Sequence, residues 1–315
     1  MKPLQRKPAY DIIGDIHGCA SELETLLREL GYRELGSHYL HADGRKVVFL
    51  GDYIDRGPEV RRTLQVVRGM IDGGTALGIL GNHEINALRY HQKGIDEEWL
   101  RPHTQSKTHQ HQATLDQLAL RHPAEWRDWL NWFAKLPLFL EPDGFRAVHA
   151  AWFDHDIESI SGHSRLSGKE LVRFSDKGSI EEVAIERLLC GLELKLPEGE
   201  YFSTPDGATR GEIRAKWWED LQGRNCREAV FPEDPTISTG DCLVPGWHMP
   251  YSKTSKPVFF GHFALKEENP SPLAQNVACL DYGGGKGGRI GAYRWDGEAI
   301  LDPTKFYLSP STAEH

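Results

Sequence analysis

The feature that most constrains this chain is an order: five short apolar runs, each ending on a compact polar cluster. Tyr10-Asp11-Ile12-Ile13 leads into Gly14-Asp15-Ile16-His17-Gly18. Residues 46–50 lead into Gly51-Asp52-Tyr53-Ile54-Asp55-Arg56-Gly57, and residues 75–80 into Gly81-Asn82-His83-Glu84. Later, residues 145–148 reach His149-Ala150-Ala151, and residues 258–260 reach Gly261-His262-Phe263. Helical patterns separate the first three runs. Leu23, Leu26, Leu27 and Leu30 recur at i, i+3, i+4 and i+7 behind a predicted capping box from Ser21 to Glu24. Val60, Leu64 and Val67 mark a second helix opened near Pro58. Strands alternating with amphipathic helices predict βαβ units and an α/β fold. In such sheets sites form beyond the carboxyl ends of strands, so the five clusters are expected on one rim.

The rest of the chain is read more coarsely. Pro123 opens a helix through Trp126, Trp129, Leu130 and Phe133, and residues 213–218 and the capping box at Ser179 predict further helices. Strand signals fade between residues 152 and 245 and then resume. The chain of 315 residues is therefore expected to be one domain, 1–315, with residues 152–245 as a helical insertion or cap. Residues 277–280 and 290–295 flank Gly283-Gly284-Gly285-Lys286-Gly287-Gly288 and predict a hairpin. The glycine run satisfies G-x-G-x-x-G, but a strand pattern rather than a helix follows it, so no dinucleotide fingerprint is assigned. Lys286 is retained as a remote candidate for a phosphate contact. His103, His109 and His111 lie among Gln and Thr and read as a solvated loop.

Lys and Arg total 37 against 46 Asp and Glu, and the net charge of −9 argues against strong duplex nucleic-acid binding. No apolar run reaches membrane-span length, and the basic start, residues 1–8, lacks the apolar stretch of a signal peptide. The five cysteines are dispersed and odd in number, which predicts reduced thiols and a cytoplasmic protein.

The clusters mix carboxylate, amide and imidazole, a donor set suited to Mn, Fe or Zn. Taken singly, each is a common turn. Taken together, Gly-Asp-Ile-His-Gly, Gly-Asp-Tyr-Ile-Asp-Arg-Gly and Gly-Asn-His-Glu resemble the signature blocks of the calcineurin-like metallophosphoesterases, in particular bacterial members of the phosphoprotein-phosphatase branch. The His149 and Gly261-His262 blocks resemble the later histidine motifs of that family. The resemblance implies a sandwich of two mixed β-sheets flanked by helices. It implies two divalent ions, most simply Mn²⁺, one held by Asp15, His17 and Asp52, the other by Asp52, Asn82, His149 and His262. It further implies hydrolysis by a hydroxide bridging the two ions, with His83 as general acid oriented by Asp55, and Arg56 binding phosphate. Arg210 and Arg214 are the candidates for a second phosphate-binding arginine.

The expected substrate is a phosphomonoester, as for a serine/threonine protein phosphatase. The alternative is a bis(5′-nucleosyl)-tetraphosphate, with Trp152, Trp217, Trp218 and Trp247 available to stack on a base. The arginine block and extended final loop of eukaryotic protein phosphatases are missing, and Ala-Ala-Trp follows His149. Residues 11–19 resemble bacterial members, some of them similar to dinucleoside tetraphosphate hydrolases and others to the phosphatase part of RNA-repair enzymes, and a third reading is phosphodiesterase action on nucleic-acid ends. A non-catalytic phosphate-binding module would lack a ligand or the acid, and neither is missing.

Overall fold

In the computed structural model, which describes residues 9–36, 38–162, 166, 168–203, 209–266 and 269–311, two mixed sheets pack face to face. The basic segment 1–8 lies outside the described residues. In the six-stranded sheet, Tyr10–Ile13, Lys46–Phe49 and Ala76–Gly78 run parallel. Arg289–Trp295 joins Tyr10–Ile13 antiparallel and also pairs antiparallel with Asp281–Tyr282 and with Phe306–Leu308. The four-stranded sheet sets Val258–Phe260 between Val277–Cys279 and Arg146–Val148, all parallel, with Phe139–Leu140 antiparallel at the edge.

Strand periodicity divides the core in two. Ile12 and Val48 from one sheet meet Ala147, Phe259 and Ala278 from the other. Their sequence neighbours Ile13, Val47, Phe49, Val148, Val258 and Phe260 point outward into a second buried cluster with the helices. Leu23, Leu26 and Leu27 of helix Ala20–Glu29 and Leu64 and Val67 of helix Val60–Asp72 are fully buried there. Each such side chain contributes roughly 1.5–3 kcal/mol of burial.

The predicted capping box at Ser21 does not form. The helix starts at Ala20, and both the Ser21 N–H and its hydroxyl donate to Glu59, at 2.8 and 2.9 Å. An external carboxylate replaces the internal one, and Glu24 pairs instead with Arg28 and Arg62. The box at Ser179 does cap its helix, with the hydroxyl accepting from the Glu182 N–H.

Residues 152–245 are mixed rather than purely helical. Helices Asp154–Ser159, Gly168–Arg173, Ile180–Cys190 and Cys226–Ala229 accompany two ribbons, Glu193–Lys195 with Glu212–Arg214 and Phe202–Ser203 with Thr209–Arg210. The helix expected at 213–218 is thus a strand and its continuation. Ile213, Ala215 and Trp217 are buried while Arg214 and Lys216 are not, a period of two that a helix cannot produce. Cys226 and Cys242 form a disulfide, Cα to Cα 5.1 Å, which corrects the expectation of five reduced thiols. Cys19, Cys190 and Cys279 remain free. Among the described residues, no helix is long and apolar enough to cross a membrane.

Candidate metal centre

The five clusters converge. They do so on strained backbone: His17, Asp52, Asp55, Arg56 and His262 are five of the six described non-glycine residues with positive φ. Such strain concentrates where side chains must be aimed rather than merely packed. Two glycines make the convergence sterically feasible. A Cβ on Gly81 would stand 2.2 Å from Asp52 Oδ1, and one on Gly261 2.0 Å from Asp15 Oδ1. Any side chain at either position would occupy the place of a carboxylate oxygen.

The imidazoles present bare nitrogens inward. His17 Nδ1 donates to the Ile54 carbonyl at 2.9 Å, and His149 Nδ1 to the Leu50 carbonyl at 2.8 Å. With Nδ1 so engaged, Nε2 of each ring is the nitrogen free to ligate once it is deprotonated, the usual orientation of a metal-ligating histidine. His17 Nε2 is buried without a hydrogen-bond partner, yet stands 3.3 Å from Asp52 Oδ2 and 3.9 Å from Asp15 Oδ2. Three acceptors facing one another need a cation between them. The second group is similar. Asn82 Oδ1 lies 3.0 Å from His149 Nε2 and 2.9 Å from His262 Nδ1, with Asp52 Oδ1 3.5 Å from His149 Nε2. Donor atoms of His17, Asp52 and His83 lie within 4.8 Å of one another, as do those of Asp52, His149 and His262, so Asp52 belongs to both groups. The residues fit two cations about a shared carboxylate.

Electrostatics agree. Burial and the neighbouring Asp281 push the Asp15 carboxyl well above the usual range. Burial also acts upward on Asp52, but His149, His83 and His17 hold it well below. Burial works against a charged His149, yet Asp52 and Asp15 outweigh it and push the ring up to about 10. Without a metal, a proton therefore occupies the position a cation would take.

His83 is arranged differently. Its Nδ1 donates to Asp55 Oδ2 at 2.6 Å, and its Nε2 accepts from the Arg56 guanidinium at 3.3 Å. Asp55 Oδ1 accepts from His111 Nδ1 at 2.7 Å and from the Thr114 hydroxyl at 2.5 Å, and Thr114 Oγ1 accepts from the Asp55 N–H at 3.0 Å. Burial acts upward on the Asp55 carboxyl, but these histidine hydrogen bonds hold it far below its usual range. The expectation of a solvated loop around His111 is therefore corrected. The residues form helix Gln105–Thr114, which buries His111 against Tyr90, His91 and Trp126. His103 stacks between Tyr90 and Trp99, and His109 is exposed.

Glu84 is a second residue that the sequence reading left without a role. Its carboxylate accepts from the N–H groups of Asp52, Tyr53, Ile54 and Gly81 at 2.8–3.3 Å. It thereby ties the Asp52 turn to the Asn82 turn. Burial and the Asp52 charge push it up to about 8, so the clamp is held against a local cost. Its position three residues into helix Asn82–Tyr90 was the available signal.

The two candidate arginines separate. Arg214 is half-buried, its guanidinium 6.0 Å from the ring centroid of Phe263, and its charge adds to burial in holding the neighbouring His262 down. Arg210 is exposed on a ribbon, lining a hollow with Glu193, Glu198 and Glu200, and it is not brought to the metal ligands. Of the four tryptophans offered for base stacking, Trp152, Trp217 and Trp218 are core, and Trp247 is 42% exposed.

The profile of the calcineurin-like phosphoesterases matches residues 10–273. An asymmetrical bis(5′-nucleosyl)-tetraphosphatase of Geobacillus sp. (strain WCH70) is 33% identical over 144 residues, 44% of this chain and 55% of that protein. The chain thus spans about half the length of that curated relative. The symmetrical bis(5′-nucleosyl)-tetraphosphatase of Vibrio parahaemolyticus is 26% identical over 311 residues, 92% of this chain and 96% of that one. A solved serine/threonine phosphatase of Saccharomyces cerevisiae overlays 97% of this chain and 80% of its own at 13% identity and a TM-score of 0.49.

Proposed function

This chain belongs to the calcineurin-like phosphoesterases, and from that membership we propose that it is a metal-dependent hydrolase of bis(5′-nucleosyl)-tetraphosphates. The observation that carries the substrate is the near-full-length similarity to the Vibrio enzyme of that name. It favours the nucleotide alternative over the phosphomonoester first expected from the motifs. We assign Asp15, His17 and Asp52 to one divalent ion and Asp52, Asn82, His149 and His262 to the other, with Mn²⁺ as the proposed metal among the Mn, Fe and Zn that such mixed donors suit. Bound there, two such ions supply a Lewis-acid clamp on phosphoryl oxygens and a nucleophile at neutral pH.

The chain's own residues complete the chemistry. Arg56 presents a planar fork to phosphoryl oxygens from the rim beside His83. Arg214 lies beside Phe263, the residue that follows His262. Asp55, held in place by hydrogen bonds from His111 and Thr114, accepts from Nδ1 of His83 and so fixes the ring with Nε2 inward. From there His83 delivers a proton to the departing phosphate oxygen. A substrate panel tests the reading. Purified Mn-loaded protein should turn over diadenosine tetraphosphate with a kcat/KM at least about tenfold above that for phosphoserine peptides and 5′-phosphorylated oligonucleotides. A preference for the peptides would restore the phosphomonoester reading.

A further inference from the structure

Residues 283–288 form the turn between the antiparallel strands Asp281–Tyr282 and Arg289–Trp295, as the sequence reading expected. The turn is seated on the wall of the metal centre. A Cβ on Gly284 would stand 2.9 Å from the Asp15 carbonyl oxygen. One on Gly285, where φ is +71°, would stand 2.7 Å from the His17 Cβ and 3.2 Å from the Arg56 Cβ. Glycine is therefore needed for this close approach. Hydrogen bonds fix the shape: Asp281 Oδ1 accepts from the Gly283 N–H at 2.9 Å, and the Gly283 carbonyl from the Lys286 and Gly288 N–H groups at 2.9 and 3.0 Å.

Lys286 begins one residue, about 3.8 Å, beyond the glycine that touches His17 and Arg56. It is exposed, and among the described residues its ammonium has no carboxylate partner. Neither do the guanidinium groups of Arg56 and Arg214. This contrasts with Arg45, Arg187 and Arg294, each held by a buried carboxylate. Partial burial and then the charge of Arg56 push the Lys286 ammonium down, and Arg214 adds to the effect. Three cations without a carboxylate partner among the described residues thus lie within electrostatic reach of one another in a chain whose net charge is −9. The metal ligands and Arg56 suffice for a single phosphoryl group. Lys286 and Arg214 are then left over for a second one.

We propose that Lys286, carried by the glycine turn, and Arg214 form a second anion subsite that holds a phosphoryl group adjacent to the one cleaved. The proposal rests on the nucleotide reading above and deepens it: the ligand class is a nucleoside polyphosphate, discriminated from a nucleoside monophosphate by its additional charged group.

Equilibrium binding tests it without turnover. Calorimetric titrations of the Mn-loaded full chain use adenosine 5′-(β,γ-methylene)triphosphate and, separately, AMP. Lys286→Met should weaken binding of the triphosphate analogue about tenfold and leave AMP within about twofold, while Lys286→Arg keeps the triphosphate preference. An unchanged thermal midpoint of Lys286→Met establishes that the turn still folds. Equal weakening of both ligands, or of neither, overturns the subsite. Wild-type protein that prefers the triphosphate through Lys286 yet leaves diadenosine tetraphosphate intact supports the subsite and overturns the dinucleotide reading.

Discussion

At the scale of single residues, Asp52 and His83 are held differently, and the proposed function gives them different roles. Asp52 is shared by both ligand groups, whereas His83 turns Nδ1 away to Asp55. The two residues should therefore fail differently. Asp52→Asn should lose metal and activity together, read by elemental analysis of the purified protein. His83→Asn should retain metal. Its rate should fall by about 10²–10⁴-fold on alkyl phosphates, whose leaving groups need a proton, and far less on p-nitrophenyl phosphate. Equal loss on both esters would remove the general-acid role from His83.

At the scale of elements, the metal ligands ride on strand ends, but the orientation of His83 is set by a helix. Gln105–Thr114 delivers His111 and Thr114 to one oxygen of Asp55 and leaves the other for His83. The Thr104 hydroxyl caps that helix by accepting from the Lys107 N–H. His111→Phe retains the aromatic packing with Tyr90 and Trp126 and deletes the donor. Asp55 then keeps fewer hydrogen bonds to its charged form, so its carboxyl should rise toward the ordinary range. The pH–rate profile should shift on its limbs while KM changes little, and the effect should be larger for poor leaving groups. A uniform loss with an unshifted profile would mean that His111 is only a packing residue. The helix was missed in the sequence because its apolar stripe is nearly absent. What it buries are histidine and threonine, and their partner is a carboxylate some sixty residues earlier in the chain, 56 positions before His111.

At the scale of the molecule, two sheets bring five strand ends to one buried place dense in carboxylates, and that has a thermodynamic consequence. Cations that bind the folded chain and not the unfolded one stabilise it by about 2.7 kcal/mol at a hundredfold excess over Kd. Chelation should lower the thermal midpoint reversibly. Binding must also displace the proton from His149, whose pKa without metal is pushed up to about 10. Below that value the ring is protonated, so apparent metal affinity should rise with pH toward it, with proton release visible as a dependence of binding heat on the buffer. A pH-independent affinity would show that His149 is not a ligand.

The sequence by itself determined the five strands that precede the polar clusters, and hence Asp15, His17, Asp52, Asn82, His149 and His262 as one constellation. Local periodicity and turn chemistry are properties of neighbouring residues, and they survive in one dimension. Tertiary structure alone decided what depends on distant chain segments. It paired Ser21 with Glu59 instead of Glu24, and joined Cys226 to Cys242. It made a strand of Glu212–Arg214, where the composition suited a helix, because alternate residues had a core to enter. It placed Glu84 under two turns, His111 behind Asp55, Arg214 rather than Arg210 toward His262, and a glycine turn against His17. Hydrogen bonds and charge act through space, and no pattern along the chain records which distant partner will satisfy a buried polar group.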